Sequence, residues 1–555
     1  TGTDAKMFSD FSDVHGNDAH AYLESNHMYR MQSKLEWYDY LTTIAEKPIH
    51  NSEDHIIMDK SKLYSDEQAV HVAADMWQGA IHGRSSTTAW VYARTYNDSS
   101  LLSDSLLNRP DVVAAIGKTN LDLNRLAPQV TALQNADMDV GVIFQTASRV
   151  YNRNYMNCLY NAYEALLYSG NRVGVIDENS IEKLAGCKLV ILPDVRYVTN
   201  EMLTALKNYA ANGGKIIAVG DDCLKYNEYE IENPTADVDA ILSGAVKLSA
   251  LYSSYELQSP TLSELTAAAV DKAEPKFRIA DADTGEILSD VECRYTDYGG
   301  KTLVNLCRYK WESRNVKILA YGKETAGFYD LISEKPMNVI KLDGYTPVMG
   351  YVIENGPESP KNVTAEWSDG EYRISWESAA EYVKIYKDGK MIKRMAASDG
   401  EYTFSGDYAD TAFEISAEGE YGLESEKTAA KLKKGFVTWL KAYGGSLKLC
   451  GYSGRDANVT YKAVENGKDP RQAINLAALG EINVTRGGFE TEIPLAVSDN
   501  RQRDFVVYAS HSKTSNTMYF SYIKNIASLT DVTAYYYGGA YRLSWKSESN
   551  ETISI

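Results

Sequence analysis

The stretch KLVILPDVRYVTNEMLTALKNYAANGGKIIAVG, residues 188–220, decides the fold of the central part of this chain. Its two apolar runs, at 188–192 and 215–220, have the length and composition of strands that are buried on both faces. Residues 200–211 lie between them with the apolar spacing of a helix, which ends at Gly213 and Gly214. A strand, a helix and a strand in this order predict a parallel α/β unit.

Two more strand patterns, at 139–144 and 173–176, precede this unit, with a helical pattern at 155–168 between them. Four strands with intervening helices predict a flavodoxin-like, doubly wound domain over residues 136–246. The domain contains neither a GxGxxG fingerprint nor a P-loop motif, so the sequence does not support nucleotide binding.

Residues 1–135 also alternate between strand and helix patterns, as in a parallel α/β fold. Helices are predicted at 23–45, 66–82 and 111–133, and strands at 47–52 and 86–92. The first 135 residues are therefore predicted to form a separate parallel α/β body.

From about residue 247 the apolar period changes to two, which is typical of β-strands. The patterns predict a small β domain at 247–350, a β-sandwich at 358–430 and a β-rich module of unknown role at 431–526. Val363-Thr364-Ala365 and Tyr372–Trp376 recur at a constant offset as Val532-Thr533-Ala534 and Tyr541–Trp545. Residues 527–555 are therefore expected to begin a second copy of the sandwich module, and the predicted fold class is multidomain α/β plus all-β.

The chain has 555 residues and a formal net charge of −19 at pH 7, from 57 Lys and Arg against 76 Asp and Glu. Nucleic acids and anionic lipids bind through cationic contacts, so this balance argues against both and favours a neutral partner. No apolar run approaches the roughly 20 residues of a membrane-spanning helix. The six cysteines include no CxxC pair, and Cys293 and Cys307, which flank a predicted hairpin turn, are expected to be free thiols.

Seven of the eight histidines lie within the first 82 residues, so a chemical site is expected there. The predicted strand at 47–52 is followed by Glu53, which lies between His50 and His55. Functional groups of parallel α/β barrels lie at the carboxyl ends of strands, so Glu53 is a candidate nucleophile or base that His50 and His55 orient. The alternative is that Glu53 only begins a solvated loop.

The next predicted strand ends in Trp90-Val91-Tyr92-Ala93-Arg94. An aromatic ring near a guanidinium suits a pyranose, whose C–H face stacks on aromatic rings while its hydroxyls take hydrogen bonds. Alternatively, Trp90 belongs to the core.

A third group follows a possible strand end at 6–8; it consists of Asp10, Asp13, His15 and Asp18. Its spacing matches no metal motif, so neither a metal nor another cofactor is predicted.

In this order, the segments resemble a clan of retaining β-glycosidases, and specifically the family 42 β-galactosidase architecture, over about residues 1–345. Residues 1–130 are similar to the last three βα units of its (β/α)8 catalytic barrel. Residues 138–245, mainly through 189–194 and 213–217, resemble its flavodoxin-like trimerisation domain. Residues 250–345 resemble its small C-terminal β domain. Residues 360–429 and 528–555 resemble fibronectin type III modules, which are common in secreted bacterial glycosidases.

The resemblance implies retaining hydrolysis of a β-glycoside by a secreted or bacterial cell-surface homotrimer that acts on carbohydrate without a cofactor. Glu53 matches the nucleophile at the end of barrel strand 7, and Trp90 matches the aromatic residue at the end of strand 8. The expected substrate-binding residues are Trp90, His55, His50, Arg94, Asp13 and His15.

A complete barrel needs about 250 residues, whereas only about 130 precede the flavodoxin-like domain. The family's acid/base glutamate lies at the end of barrel strand 4, which has no counterpart here. We therefore expect an N-terminal half-barrel, on the same or a second polypeptide, to complete the fold.

Two other functions stay open. One is a non-catalytic carbohydrate-binding or cell-surface adhesion protein with a degenerate barrel. The other is amidotransferase-like chemistry at Cys223, which follows a predicted strand, although His511 is the first histidine downstream of it.

Overall fold

The computed structural model describes residues 4–24, 27–29, 31–56, 66–93, 106–252, 260–368, 371–406, 411–434, 436–443, 446–453, 456–465, 479–485, 487–494, 503–511, 514–522, 529–537 and 540–547. The chain forms two compact units, Thr1–Gly356 and Pro357–Ile555. Among the described residues, no helix combines the length and the apolar composition that crossing a membrane requires.

The first part of the first unit combines short strands with longer helices. Its elements are α1 (Ala5–Phe11), β1 (His15–Asn17), β2 (Tyr22–Glu24), β3 (His27–Tyr29), α2 (Met31–Ile44), β4 (Ile49–Asp54), α3 (Asp66–Ile81), β5 (Arg84–Ala89), α4 (Pro110–Arg125) and α5 (Ala127–Gln134). Strands β1, β4 and β5 form a parallel sheet with β4 in the middle. A Cβ on Gly16 of β1 would lie 1.8 Å from the carbonyl oxygen of His50, so only glycine allows this pairing.

Three expectations for this part need correction. Residues 6–8 lie in α1 rather than at a strand end, because the Asp4 side chain accepts the Met7 amide at 2.9 Å and caps a helix. The helix expected at 23–45 begins only at Met31, after the β2–β3 hairpin. The helix expected at 111–133 is two helices, because Pro128 lies in the first turn of α5 and breaks the continuous hydrogen bonding.

The central part of the first unit is a doubly wound α/β layer. Its elements are β6 (Val140–Ile143), α6 (Thr146–Tyr151), α7 (Tyr155–Leu167), β7 (Val173–Ile176), β8 (Leu189–Pro193), β9 (Tyr197–Val198), α8 (Asn200–Ala211), β10 (Lys215–Val219), β11 (Tyr226–Asn227), α9 (Thr235–Leu242), β12 (Val246–Leu248) and α10 (Pro260–Ala273). Five parallel strands pair in the order β12-β10-β8-β6-β7, which is the flavodoxin-like order. Strands β6, β7 and β8 are buried at every position, as in a sheet covered on both faces.

Antiparallel sheets complete the first unit. Their strands are β13 (Phe277–Asp281), β14 (Val291–Tyr298), β15 (Lys301–Arg308), β16 (Arg314–Ala320), β17 (Lys323–Glu324), β18 (Gly327–Asp330), β19 (Lys335–Met337), β20 (Ile340–Leu342) and β21 (Val348–Ile353). In the β14–β15 hairpin, Cys293 pairs with Leu306 and Cys307 with Glu292, so the two cysteine side chains point to opposite faces. Both are free thiols, as the sequence predicted.

The second unit begins with a β-sandwich. Its strands are β22 (Lys361–Ser368), β23 (Glu371–Glu377), β24 (Tyr382–Lys387), β25 (Lys390–Ala396), β26 (Glu401–Ser405), β27 (Ala412–Glu418) and β28 (Thr428–Lys434). They pair in the order β25-β24-β27-β28-β22-β23-β26. Tyr372, Ile374 and Trp376 alternate into the core of the sandwich, and the Trp376 indole donates to the Ala397 carbonyl at 3.1 Å.

The remaining described strands are β29 (Phe436–Tyr443), β30 (Ser446–Ser453), β31 (Ala457–Glu465), β32 (Leu479–Val484), β33 (Gly487–Ile493), β34 (Arg503–His511), β35 (Thr514–Tyr522), β36 (Leu529–Tyr537) and β37 (Ala540–Ser547). They form two further antiparallel sheets, of order β33-β30-β29-β36-β37 and β32-β31-β34-β35.

The sequence repeat extends to backbone geometry. The hairpins β22–β23 and β36–β37 both contain a register shift near the start of their first strand. Within each shift one residue has a positive φ: Asn362 at 51° and Asp531 at 59°. Equivalent hydroxyl pairs then bridge the strands, Thr364–Ser375 at 2.7 Å and Thr533–Ser544 at 2.5 Å. The two hairpins are therefore copies of one structural element.

A buried polar network joins the three parts of the first unit. His82, just after α3, lies 3.0 Å from Asp39 of α2 and 2.7 Å from Glu292 of β14. Asp39 also accepts hydrogen bonds from Tyr163 of α7 at 2.6 Å and from Arg294 of β14 at 3.0 Å. Both ring nitrogens of His82 face carboxylate oxygens, which only accept, so both nitrogens donate and the ring is a cation. Burial opposes this charge, but the two carboxylates raise the pKa of His82.

Glu36 of α2 is a buried carboxyl without such support. Its side chain is fully buried, and neither of its oxygens has a hydrogen-bond partner in the part of the chain that the structure describes. Burial raises the pKa of Glu36 from 4.5 to about 8, and Arg149 of α6 only partly offsets this effect. Glu36 is therefore protonated in the folded protein near neutral pH.

Replacing Glu36 with Gln should stabilise the protein increasingly as pH rises. A carboxyl whose pKa is raised by folding favours the folded state below its unfolded pKa, and this advantage is lost as pH rises towards the folded pKa. Urea unfolding at pH 6 and pH 8 should show the gap between Glu36→Gln and the wild type widening by roughly 2 kcal/mol. Glu46→Gln, at an exposed position just after α2, is the control and should show no such trend. Parallel pH dependence of Glu36→Gln and the wild type would contradict the assignment.

Candidate active site

The carboxyl ends of β1, β4 and β5 lie side by side because the three strands are parallel neighbours. Three of the predicted site residues, Glu53, His55 and Trp90, meet at this edge, and His20 from the segment after β1 joins them. This is the edge of a parallel α/β fold at which functional groups collect.

The carboxylate of Glu53 is oriented and still open to solvent. Its Oε1 lies 2.8 Å from Nε2 of His55, and because a carboxylate only accepts, the imidazole donates. The backbone amide of Glu53 donates to Oδ1 of Asn51 at 3.3 Å. The Glu53 side chain is 34% exposed, whereas that of His55 is 11% exposed. A carboxylate that a neighbouring donor fixes and that solvent reaches can act as a nucleophile.

A row of three rings borders Glu53. The His20 and His55 rings are 4.9 Å apart, and the His55 and Trp90 rings are 5.9 Å apart with their planes within 27°. Trp90 is half-buried, and the peptide bond that follows it is cis. Aromatic faces beside a carboxylate suit the C–H face of a sugar ring.

Asn51 positions this row of rings. Its Oδ1 accepts the Ala19 amide at 3.2 Å, and its Nδ2 donates to the Ala19 carbonyl and, at 3.0 Å, to the Tyr38 hydroxyl. One buried amide therefore ties the segment that carries His20 to strand β4 and helix α2. No sequence pattern had indicated this role for Asn51.

The residue after Glu53 belongs to a buried group of four charges. Nζ of Lys34 lies 2.8 Å from Asp54 and 2.5 Å from Asp75, and Nη1 of Arg84 lies 2.7 Å from Asp54. Burial alone would raise the pKa of Asp75, but Lys34 and Arg84 hold it below its usual value. The two cations balance the two anions. We call Lys34, Asp54, Asp75 and Arg84 the charge quartet.

His50 lies on a different face of β4 from Asn51, since neighbouring residues of a strand point to opposite faces. Its Nδ1 lies 2.8 Å from the Ser86 hydroxyl, and its Nε2 lies 3.4 Å from the Thr88 hydroxyl. Strand β5 therefore holds this ring on the sheet face that carries exposed Ser86 and Thr88.

The structure does not bring Asp13 and His15 to the edge that carries Glu53. Asp13 precedes β1 and His15 begins it, so both lie at the amino end of that strand. His15 is buried, and burial lowers the pKa of its ring below the usual value. The prediction for Arg94 falls outside the described residues.

Cys223 does not have the environment of a nucleophile. Its buried thiol lies 3.5 Å from the Leu192 carbonyl, and burial raises its pKa to about 12. Amidotransferase-like chemistry therefore gains no support.

Within the described ranges, no three His, Cys, Asp or Glu side chains converge as a metal site requires.

Helix α3 carries a polar stripe that was not among the predicted features. Its members recur at helical spacing and are all buried: His71, Asp75, Gln78 and, just after the helix, His82. His71 lies 2.8 Å from the Ile56 carbonyl, Asp75 pairs with Lys34 of α2, and both Gln78 and His82 contact Glu292 of β14. The signal was present, because four polar residues at helical spacing beside an apolar stripe indicate a buried polar face.

Residues 134–220 match the family model of the β-galactosidase trimerisation domain. Among solved structures, an apo GH42 exo-carrageenase from Bacteroides ovatus is 18% identical with a TM-score of 0.51, and the match covers 64% of this chain and 50% of that one. Gan42B, a GH42 β-galactosidase from G. stearothermophilus, is 14% identical with a TM-score of 0.49, and the match covers 63% of this chain and 60% of that one. The FN1–FN3 domains of chicken CNTN1 are 11% identical with a TM-score of 0.16, covering 42% of this chain and 97% of theirs. Among curated proteins, no sequence is significantly similar to this chain.

The chain therefore has the family 42 β-galactosidase-like architecture that its sequence predicted, together with β-rich modules. It spans half the length of the exo-carrageenase, and at 18% identity that likeness concerns the fold.

Replacing Lys34 with Met should strongly destabilise the first unit. Asp54 and Asp75 would then share one buried cation, and breaking a buried pair typically costs about 3–5 kcal/mol. Urea unfolding at pH 7 measures the loss. The control is Lys207→Met, whose pair with Asp237 is 47% and 33% exposed and should contribute at most about 1 kcal/mol. Equal losses in both variants would show that the charge quartet has no special role.

Proposed function

We propose that this chain is part of a retaining glycoside hydrolase of β-galactosidase-like type, with Glu53 as the nucleophile. The observation that carries the proposal is the position of Glu53 at the carboxyl end of the middle parallel strand, where His55 orients it beside a row of rings. The match of residues 134–220 to a β-galactosidase domain supports the same class of reaction.

In the proposed reaction, the Glu53 carboxylate attacks the anomeric carbon while the glycosidic oxygen leaves, which forms a covalent glycosyl–enzyme. A second carboxyl group protonates the leaving oxygen and then activates the water that releases the sugar. The hydrogen bond from His55 keeps the Glu53 carboxylate aimed at the anomeric carbon. Trp90 stacks on the sugar, and Arg94 is proposed to bind its hydroxyls. The role predicted for His50 is not kept, because strand β5 holds its ring on the other face of β4.

The second carboxyl must come from outside this edge. It has to lie about 5–5.5 Å from the nucleophile, and the neighbouring Asp54 is held by Lys34 and Arg84. Within the described residues, the sheet β1-β4-β5 has two unpaired edges, whereas a (β/α)8 barrel closes with eight strands. Helix α1 exposes Met7, Phe8 and Phe11, at 57%, 62% and 79%. We infer that further βα units, on the same or a second polypeptide, cover these surfaces and supply the acid/base.

The proposal also includes the oligomeric state, the location and the first substrates of the enzyme. We expect a homotrimer, because the matched family model is that of a trimerisation domain. We also expect a secreted or bacterial cell-surface enzyme, because the sandwich module resembles the fibronectin type III appendages of such glycosidases. β-Galactosides are the first substrates to test.

A fluorosugar with an activated leaving group tests the nucleophile directly. Dinitrophenolate leaves without protonation, so 2,4-dinitrophenyl 2-deoxy-2-fluoro-β-galactoside needs only the nucleophile, and the 2-fluoro group slows release of the glycosyl–enzyme. Peptide mass spectrometry should find the label on Glu53. Glu53→Gln should abolish labelling and turnover with the fold intact, since the amide is a poor nucleophile, and Glu46→Gln should retain both. Turnover that survives Glu53→Gln would refute the assignment.

A non-catalytic carbohydrate-binding or adhesion protein is the second candidate. The observation that favours it is the engagement of Asp54, which leaves Glu53 as the accessible carboxylate of the β4 end. This function predicts that the complete polypeptide is retained on a glycan array and releases no sugar from any aryl glycoside.

A further inference from the structure

A cavity of about 430 Å³ lies in the second unit where strands β29 and β36 pair. We call it the sheet cleft; its lining residues are Trp439, Lys441, Thr533, Ala534, Tyr535 and Tyr536. Small-molecule sites usually have volumes of roughly 300–1,000 Å³. The sheet cleft therefore has the size of a ligand site, and it includes strand β29 of the β-rich module for which the sequence predicted no role.

The rings of the sheet cleft lie on the outer face of its sheet. Leu440 of β29 is buried in a core, so its neighbours Trp439 and Lys441 point to the opposite face. Lys441 pairs with Thr533 of β36, and in this antiparallel register Trp439 lies opposite Tyr535. Trp439 is 37% exposed and Tyr535 is 42% exposed. Two large rings thus border one cavity that solvent reaches.

Tyr535 is an aromatic residue that the module itself does not require. The repeat aligns the hairpin β36–β37 with β22–β23. Tyr535 pairs with Arg542 in the second copy, whereas Glu366 pairs with Arg373 in the first. The first copy thus forms the same hairpin with a carboxyl group at this position. An exposed ring that folding does not need, beside a second exposed ring, indicates contact with a ligand.

The charges beside the rings balance one another. Lys448 of β30 lies next to Lys441 on one side and next to Glu492 of β33 on the other. Its ammonium lies 2.5 Å from the carboxylate of Glu490. These two lysines and two glutamates cancel, which fits an uncharged ligand better than a nucleic acid or an anionic lipid. The Lys441 ammonium and the Thr533 hydroxyl supply the hydrogen bonds that sugar hydroxyls take.

We propose that the sheet cleft binds a neutral glycan chain. The C–H faces of its sugar rings stack on Trp439 and Tyr535, and its hydroxyls bind Lys441 and Thr533. The site lies in the second unit, whereas Glu53 lies in the first. The inference therefore goes beyond the proposed function and holds whether or not the first unit is catalytic. In a catalytic chain, such a site raises the local concentration of a polymeric substrate.

A protein partner is the other class of ligand that uses exposed tyrosine and tryptophan rings. Stable protein interfaces bury about 800 Å² on each partner, whereas a cavity that two strands border fits a slender chain of sugar rings. The geometry therefore favours a glycan, and the experiment separates the two classes.

Affinity gel electrophoresis of the full chain tests the proposal, with soluble β-1,4-galactan and galactomannan as neutral probes. At least one probe should retard the wild type. Tyr535→Glu and Trp439→Ala should each weaken binding roughly tenfold, the loss expected when one stacking contact is removed. The first copy carries Glu366 at the equivalent position, so Tyr535→Glu should leave circular dichroism unchanged. Tyr519→Glu on β35, exposed at 68%, is the matched control and should bind like the wild type.

Three results would overturn the proposal. A wild type that neither probe retards, and that no glycan on an array retains, would remove the site. Retardation that both cleft variants leave unchanged would place the glycan elsewhere, and its loss in Glu53→Gln alone would place it at the candidate active site. Altered sedimentation of Tyr535→Glu with unchanged retardation would assign the sheet cleft to a protein partner. Labelling of Glu53 by the fluorosugar should persist in Tyr535→Glu, so this proposal and the proposed function fail independently.

Discussion

The first unit depends on a cationic imidazole that is buried between two carboxylates. His82 contacts Asp39 of α2 and Glu292 of β14, and Tyr163 of α7 donates to the same Asp39. Each partner belongs to a different part of the unit, so one ring sets how the parallel sheet, the flavodoxin-like layer and the antiparallel sheets meet. If one of these groups moved away, the others would be left as uncompensated buried charges.

Helix α2 transmits this constraint to the candidate site. It carries Lys34, Tyr38 and Asp39, which contact Asp54, Asn51 and His82 respectively. Fixing α2 therefore fixes the end of β4, where Glu53 lies, and the segment that carries His20. Because these buried polar groups are mutually satisfied, we interpret their main effect as setting relative position, while the apolar core supplies most of the stability.

The sequence predicted the layers of this protein better than its contacts. Apolar runs such as 188–192 predicted the doubly wound sheet, because a strand buried on both faces has a distinctive composition. The repeat predicted two equivalent hairpins. Glu53 was predicted to follow a strand at 47–52, but it lies within β4, which extends to Asp54, at the edge that also carries His55 and Trp90. The concentration of histidines in the first 82 residues was a weaker guide to the candidate site, since His71 and His82 make buried structural contacts. The charge quartet could not be predicted from the sequence, because Lys34 and Asp75 meet only through tertiary packing.

The charge quartet also limits how this sequence can change. Two anions and two cations cancel in a space that water does not reach, so replacing any one of them leaves a net charge that the interior cannot solvate. The quartet stays neutral when one cation and one anion are replaced together, or when all four residues become apolar. A single replacement that removes one charge does not keep it neutral. Changes of charge at positions 34, 54, 75 and 84 should therefore occur among relatives in pairs of opposite sign or at all four positions together, which slows sequence change next to the proposed nucleophile.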